Sequence, residues 1–275
     1  MKMLEILNLF SYPFIIKAMI VGILVSICAS LLGVILTLKK YSLIGHGLSD
    51  VGFAALSLAM AIGTSPILTA APIIILTSFI IMYTSQNKNI NGDIAIGIFS
   101  TGSLALGVTI TALSKGFNSD VYSYMFGSIL SMTTLDVISS IILSIIILSV
   151  FITFYNRLFL ITCDESFAKA CGIHVEFYQF LISFLTAITV VLGMRMMGTL
   201  LISSLIIFPA VSAKKIVKSF KALMILSALI SVFCFVSGIV ISFCFNIPTG
   251  ASIVLANIAL MVIISVCGHF MSIRR

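Results

Sequence analysis

The sequence predicts an all-α polytopic membrane protein with eight or nine transmembrane helices, and two observations carry this prediction. Of the 275 residues, 61% are hydrophobic and only 8% are charged, whereas soluble domains average about 25% charged residues. Long apolar runs also follow one another along the chain, and a helix that spans a bilayer needs about 20 such residues. We therefore expect residues 1–275 to form a single transmembrane domain without a soluble domain of its own.

The apolar runs can be placed in order. They cover residues 13–37, 43–62, 66–84, 94–114, 135–155, 177–193, 196–212, 222–245 and 250–270. The first run is long enough to span the membrane and is interpreted as a helix rather than a cleaved signal peptide. The sixth and seventh runs are short, and only the segment from Gly193 to Gly198 separates them. One of these two is either a re-entrant segment or a full crossing, so eight and nine crossings are both open.

Basic residues fall in alternate loops of this arrangement. They are Lys39, Lys40, Lys88, Arg157, Lys169, Lys214, Lys215, Lys218, Lys221, Arg274 and Arg275. The opposite loops carry only Lys115, together with Lys2 near the N-terminus. Because positively charged loops stay in the cytoplasm, the pattern places the first set inside. The formal net charge of +7 follows from this topology and indicates no nucleic-acid partner.

The second run, LIGHGLSDVGFAALSLAMAIG over residues 43–63, carries two ionisable side chains. At 100° per residue the helix has two separate stripes. The first holds His46, Asp50, Phe53 and Ser57, and the second holds Gly45, Gly52, Ala55, Ala59 and Gly63. Small side chains let helices approach closely in lipid, so the second stripe predicts a helix contact. Ionisable groups in a membrane usually line a bundle interior or a water-filled path.

His46 and Asp50 are spaced i, i+4, which brings their Cβ atoms to about 5–6 Å. An imidazole and a carboxylate together suit first-row divalent ions such as zinc or manganese. Two ligands are too few for a tight site, but a conduit requires binding weak enough for release. The alternative is that the two side chains only pair with each other and stabilise the helix bundle. The pair alone leaves both interpretations open.

The sequence RLFLITCDESFAKACGIHVE, residues 157–176, lies in a predicted cytoplasmic loop. Thr162 and Glu165 have the spacing of a capping box, and Gly172 suits a helix stop. These signals predict a short helix over 163–171 with an apolar tip at Phe167 and Ala168. It is either a docking knob for a motor subunit or an ordinary connecting helix. The other inner loop of real length, 212–222, carries four Lys and is interpreted as an anchor to anionic lipid.

Several ordered motifs resemble one family, the permease subunits of bacterial zinc, manganese and iron ABC importers. They are KKYSLIGHGLSDVGFAALSLA, GDIAIGIFSTGSLALGV, DESFAKACGI, MGTLLISSLIIFPAVSAK and IPTGASIVL. One motif departs from the family pattern, in which Asp precedes His by four residues. Here His46 takes the Asp position and Asp50 the His position, which shifts each group by one turn, about 5.4 Å.

The resemblance implies a type II-like ABC importer permease fold, a multi-pass location in the bacterial plasma membrane, and import of a divalent metal. The pattern favours zinc, with manganese and iron as alternatives, and implies no tightly bound cofactor. It also implies a homodimer, cytoplasmic ATPase subunits, and an extracellular or periplasmic metal-binding protein. The coupling segment would lie at about 157–176 and include Asp164, Glu165, Phe167, Ala168 and Gly172. The permease itself would not be an enzyme.

Three other function classes are alternatives to a metal permease. A metal-chelate or cobalamin permease would need a wide cavity and no metal ligands. A gradient-driven secondary transporter would show inverted repeats with broken helices, and no repeat is clear. An intramembrane enzyme would need more ionisable groups at one depth than His46 and Asp50 provide. The sequence has no GxxxxGK[ST] motif, so it would not bind ATP by that route. Arg195 is interpreted as an interfacial residue rather than a gate.

Overall fold

The computed structural model describes residues 13–86, 92–114 and 134–273, and within these ranges every regular element is a helix. The helices are α1 Pro13–Leu38, α2 Ile44–Ile62, α3 Pro66–Gln86, α4 Gly92–Leu113, α5 Thr134–Thr153, α6 Tyr155–Cys163, α7 Glu165–Ala170, α8 Val175–Met197, α9 Thr199–Ile216, α10 Phe220–Phe245 and α11 Thr249–Ile273. The predicted positions of Lys2, Lys88, Lys115, Arg274 and Arg275 lie outside the described residues.

The long helices match the nine apolar runs in order. In the described ranges, eight helices are long and apolar enough to cross a membrane, and α3 contributes the shorter apolar stretch Leu68–Thr84. The polytopic all-α prediction is therefore confirmed. The sixth and seventh runs are the complete helices α8 and α9, of 23 and 18 residues. They are joined through Gly198, whose φ of 89° suits a glycine.

Contacts between α2 and α4 show that α3 also crosses the membrane. Ser100 of α4 donates to Asp50 of α2, and the Thr111 hydroxyl of α4 lies 3.1 Å from the Ser57 hydroxyl of α2. Residue numbers rise together in both pairs, so α2 and α4 are parallel neighbours. Two consecutive parallel helices require the chain between them to return from one end of the bundle to the other, and α3 makes this return. Within the described residues, α3 therefore adds a ninth candidate crossing to the eight long apolar helices.

Charged contacts lie at the two ends of the bundle. At one end the ammonium of Lys39 lies 2.7 Å from the Glu165 carboxylate. At the other end Lys17 donates to Thr134 across 3.4 Å, and Arg195 lies 2.7 Å from Asp136. The first end carries α6 and α7 and corresponds to the predicted cytoplasmic side.

We expect cysteine labelling to reproduce this orientation. In a variant that retains only the exposed Cys171, a membrane-impermeant maleimide should react after permeabilisation and not in intact cells, because Cys171 follows α7. Lys218→Cys in a cysteine-free background should also react only after permeabilisation. Ile247→Cys, between α10 and α11, should react in intact cells. Labelling of Cys171 in intact cells would reverse the orientation.

Glycines bring four helices, α1, α9, α10 and α11, into close contact, and we call them the four-helix block. A Cβ added at Gly33 would lie 1.9 Å from the backbone oxygen of Ile206, and one added at Gly22 would lie 1.7 Å from the ring of Phe235. Serines add cross-helix hydrogen bonds, such as Ser231 to the Ser26 carbonyl at 3.0 Å. Close packing and such bonds are the main source of helix association in lipid.

The small-residue stripe of α2 packs against neighbouring helices, as predicted. A Cβ at Gly45 would lie 2.8 Å from Ile206, and one at Gly52 would lie 2.5 Å from the sulfur of Met194. Ala55 and Ala59 are buried. Gly63 differs from the prediction, because it is exposed and has a φ of 75° at the end of α2. Its role is to stop the helix rather than to contact another one.

Candidate functional site

His46 and Asp50 lie in the first two turns of α2, near the cytoplasmic end of the bundle. The His46 Nε2 atom is 3.7 Å from Asp50 Oδ2, and the side chains are 51% and 10% exposed, respectively. The separation is longer than a hydrogen bond. The two side chains are therefore adjacent but not hydrogen-bonded to each other. By helix rise they lie about 3 and 9 Å beyond the start of α2, on the cytoplasmic half of the crossing.

The stripe that contains this pair faces α4. Ser100 donates its hydroxyl to Asp50 Oδ2, and Phe53 fills the space above Gly107, where an added Cβ would lie 2.6 Å from the Phe53 ring. Ser57 and Thr111 continue the contact one turn further. Asp50 is thus fixed by a neighbour on α4, while His46 projects into open space. The predicted stripe avoids lipid chiefly by packing on another helix.

The pair presents one imidazole nitrogen and two carboxylate oxygens, a set of donor atoms that suits a divalent cation. Within the described ranges, no group of three or more His, Cys, Asp or Glu side chains could hold a metal ion. Tight sites for zinc use three or four protein ligands. The geometry therefore suits brief coordination during transit rather than storage.

The short helix α7 carries the predicted coupling segment. Asp164 caps it by accepting from the backbone N–H groups of Ser166 and Phe167 at 2.9 and 3.0 Å. The predicted capping box was wrong, because the Thr162 hydroxyl instead donates to the Leu158 carbonyl within α6. Gly172 has a φ of 75°, and the N–H of Ile173 donates to the Ala168 carbonyl at 3.1 Å. That pattern is the helix stop predicted at Gly172.

The two apolar residues predicted at the tip of α7 have opposite environments. Phe167 is 55% exposed and Ala168 is 0% exposed. The helix turns Ala168 towards the protein, so of these two residues only Phe167 offers apolar surface to a partner. The prediction of an apolar tip is correct for Phe167 and wrong for Ala168.

Glu165 connects α7 to the membrane helices. Its Oε1 atom lies 2.7 Å from Lys39 Nζ and accepts from Gln179 Nε2 of α8 at 2.8 Å. The Lys39 side chain is 4% exposed and that of Glu165 is 46% exposed. Burial lowers the pKa of the Lys39 ammonium, and the Glu165 carboxylate opposes that shift. We call Lys39, Glu165 and Gln179 the coupling node.

Comparison with known proteins places this geometry in a family. The model of the ABC 3 transport family matches residues 11–268. The chain belongs to the ABC 3 transport family. It is a multi-pass protein of the bacterial plasma membrane, as its apolar helices and its relatives indicate.

Relatives of this ABC 3 family chain include proteins named for two metals. It is 33% identical to the manganese import system permease protein ScaB of Streptococcus gordonii, over 94% of this chain and 92% of the relative. It is 26% identical to the high-affinity zinc uptake system membrane protein ZnuB of Haemophilus influenzae, over 92% of this chain and 97% of that one.

Solved structures show the same architecture. PsaBC from Streptococcus pneumoniae in complex with Fab matches with a TM-score of 0.82 at 31% identity, over 96% of this chain and 95% of that chain. An inward-facing metal-chelate type ABC transporter matches with a TM-score of 0.78 at 16% identity, over 94% and 87% of the two chains. The second likeness concerns the fold alone. The predicted ABC permease fold is confirmed.

The sequence of this ABC 3 family member does not reveal the partners of three charged residues, Lys39, Asp50 and Arg195. The sequence marks Lys39 only as a charge that sets topology, and nothing in it distinguishes Ser100 within its motif. Arg195 was interpreted as interfacial, whereas it pairs with Asp136, whose side chain is 5% exposed. The available signal was Asp136 itself, an acid in the first turn of an apolar helix, which requires a partner.

The coupling node gives a stability prediction for this permease. We expect Glu165→Ala to lower the free energy of unfolding by about 2 kcal/mol, because it leaves the buried Lys39 ammonium without its acceptor. Lys39→Met should cost less, since it removes the buried charge. The double variant should lose less unfolding free energy than the two single variants lose in total. Thermal unfolding of the purified variants measures this, and strictly additive effects would show that the two groups do not interact.

Proposed function

We propose that this chain is the permease subunit of an ATP-driven importer of a first-row divalent metal ion, and that His46 and Asp50 coordinate the ion in transit. The observation that carries the proposal is the i, i+4 pair itself, with Nε2 and Oδ2 3.7 Å apart on a membrane helix of an ABC 3 family chain. The Ser100 hydroxyl orients the carboxylate, as outer partners orient metal ligands in other sites.

The identity of the cargo is proposed at the level of its chemistry. An imidazole with a carboxylate accepts zinc, manganese and iron. The relatives named above are a manganese permease and a zinc permease, so their names do not favour zinc over manganese. The preference for zinc drawn from the sequence thus has no further support, and we propose zinc and manganese as the first two ions to test, with iron third.

We further propose that the chain works as a homodimer with cytoplasmic ATPase subunits and an extracellular or periplasmic metal-binding protein. ATP hydrolysis would belong to the ATPase subunits. One face of α4 supports the homodimer, because Gly97, Thr101, Ala105 and Thr109 are exposed at successive i, i+4 positions. Small residues at this spacing favour close helix–helix contact in a membrane. A second copy would cover this face.

A path for force is available in the proposed assembly. An ATPase that moves α7 would act on Glu165, which holds Lys39 at the end of α1. Lys39 begins the five-residue connection to Ile44, where α2 starts, and α2 carries His46 and Asp50. Displacement of α7 would therefore reach the metal ligands through one ion pair and one short linker.

Uptake into cells tests the function. The permease would be expressed with its ATPase and binding protein in a bacterial strain that lacks its own metal importers, and accumulation of radioactive zinc, manganese and iron would be followed. We expect saturable uptake of one ion, with the others competing. Loss of uptake on ATP depletion, but not on collapse of the proton gradient, separates this proposal from a secondary transporter. Competition by an iron chelate or cobalamin, but by no free ion, would support a metal-chelate permease instead.

A further inference from the structure

A groove on the lipid-facing side of the bundle has a shape and polarity unrelated to the metal pathway. Its volume is about 730 Å³, and its walls come from α1, α5 and α10, with α6 closing one end. The rim residues Ile152 and Leu229 are 77% and 61% exposed. The groove is therefore open sideways to the hydrocarbon of the membrane rather than sealed within the protein.

The polar and the apolar lining residues lie in different parts of the groove. Lys221, Tyr155 and Asn156 lie at one end, and the remaining length up to Val232 is almost entirely apolar. Lys221 is the second residue of α10, which begins at Phe220 on the cytoplasmic side. From Lys221 to Val232 the helix rises about 16 Å. The groove thus joins a polar end at the cytoplasmic interface to an apolar channel that penetrates the membrane.

The charge at the polar end has no acidic partner among the described residues. The ion pairs of those residues use Lys39, His46 and Arg195 instead. Lys218 lies three residues earlier in the same connection and is also exposed. Basic pockets between membrane helices on the cytoplasmic side favour anionic lipid headgroups. Water does not fill the apolar part readily, so its occupant must be hydrocarbon.

We propose that this groove binds an anionic glycerophospholipid of the cytoplasmic leaflet. Its phosphate lies at Lys221, where Tyr155 and Asn156 supply further hydrogen-bonding groups, and one acyl chain lies along α10 towards Val232. The polar groups of the groove coincide with the headgroup level, and its apolar length coincides with the acyl region. Neither a soluble metabolite nor a metal ion has this distribution of polarity.

The chain contains no Trp, so a single introduced Trp reports on its own surroundings. Leu229→Trp places the reporter in the groove, and Ile263→Trp places it at a 60% exposed site on α11 as the matched control. Each variant would be reconstituted into vesicles with increasing mole fractions of phosphatidylglycerol or phosphatidylcholine brominated on the acyl chains. Quenching of fluorescence measures occupancy next to the reporter.

We expect quenching at Leu229→Trp to reach half its maximum at a mole fraction of the anionic lipid about fivefold lower than that of the neutral lipid. Adding Lys221→Gln should abolish the difference, and Ile263→Trp should not distinguish the two lipids. Equal curves at Leu229→Trp, or an anionic preference that survives Lys221→Gln, would overturn the proposal. Absence of quenching at Leu229→Trp alone would also overturn it, since protein, such as a second copy, would then fill the groove.

A second measurement uses the parent protein without a reporter. Native mass spectrometry after gentle detergent extraction should show one retained phosphatidylglycerol per chain, and Lys221→Gln should lose that mass. Retention of the lipid by Lys221→Gln would contradict the assignment of the phosphate to Lys221.

Discussion

His46→Ala and Asp50→Ala should each lower the rate of metal uptake by more than about tenfold while the permease is inserted at normal abundance. Even the loss of an outer partner of a metal ligand costs about 10- to 100-fold in affinity or activity, and each of these changes removes one of the two proposed ligands. Abundance should persist because His46 is half exposed and Asp50 makes its described hydrogen bond to a serine. Uptake of the metal and quantification of the membrane-inserted protein provide the measurement.

Two neighbours serve as graded controls for this result. Ser49 lies next to Asp50 but donates to the Gly45 carbonyl of its own helix, so Ser49→Ala should leave uptake unchanged. Ser100→Ala removes only the donor to Asp50 and should give a smaller loss than Asp50→Ala. If both His46→Ala and Asp50→Ala transport normally, the pair is a structural contact and the pathway lies elsewhere.

Exchanging the two proposed ligands tests the reversed order of His46 and Asp50 in this chain. The variant with His46→Asp and Asp50→His keeps one imidazole and one carboxylate but moves each by a helical turn. We expect it to transport better than either alanine variant, because the ligand set is preserved. Its ratio of zinc to manganese uptake, compared with that of the parent, shows whether the order contributes to metal preference.

Phe167→Asp should weaken the association of the permease with its ATPase by about 10- to 100-fold, because burial of a Phe side chain contributes about 1.5–3 kcal/mol. The permease should remain folded, since Phe167 is 55% exposed. Co-purification of the ATPase, together with uptake, measures the effect. Phe177→Asp is the matched control, because Phe177 is 57% exposed but lies at the start of α8, outside α7.

Gly172 offers an independent test of the same contact. Its φ of 75° resists a β-branched residue and tolerates Asn. Gly172→Val should therefore uncouple transport, whereas Gly172→Asn should retain it. If Phe167→Asp binds the ATPase and transports like the parent, α7 is a connector and the coupling contact lies elsewhere.

The sequence predicts the helices of this fold better than it predicts which helices and side chains contact one another. Apolar length and periodicity are local properties, so the nine long helices and the stop at Gly172 could be predicted. The apolar runs end too early where a helix has charged residues near its ends. The predicted run 177–193 is part of the longer helix Val175–Met197, which includes Glu176 and Arg195. The helix α6 was also missed, because its nine residues are too short and too polar to be recognised as an apolar run.

Contacts between distant segments could not be predicted from one sequence. The bond from Ser100 to Asp50 requires that α2 and α4 be parallel neighbours, which depends on how all the helices pack. The same holds for Glu165, whose partners Lys39 and Gln179 lie 126 and 14 residues away. The inward direction of Ala168 likewise follows from the packing of α7 on the bundle and from no local signal.

The glycine contacts of the four-helix block bear on how the transporter can move. At Gly33 the backbones of α1 and α9 are so close that a Cβ would lie 1.9 Å from the Ile206 oxygen, so these helices cannot slide past each other without losing the contact. Ile206 also contacts Gly45, which anchors the start of α2 to the same block. Asp50 therefore has one fixed wall behind it, whereas its partner Ser100 belongs to α4, which is largely exposed. We expect α2 to move with the four-helix block as one unit during alternating access, because Gly45 holds it against Ile206, while the exposed face of α4 meets the second copy of the proposed homodimer.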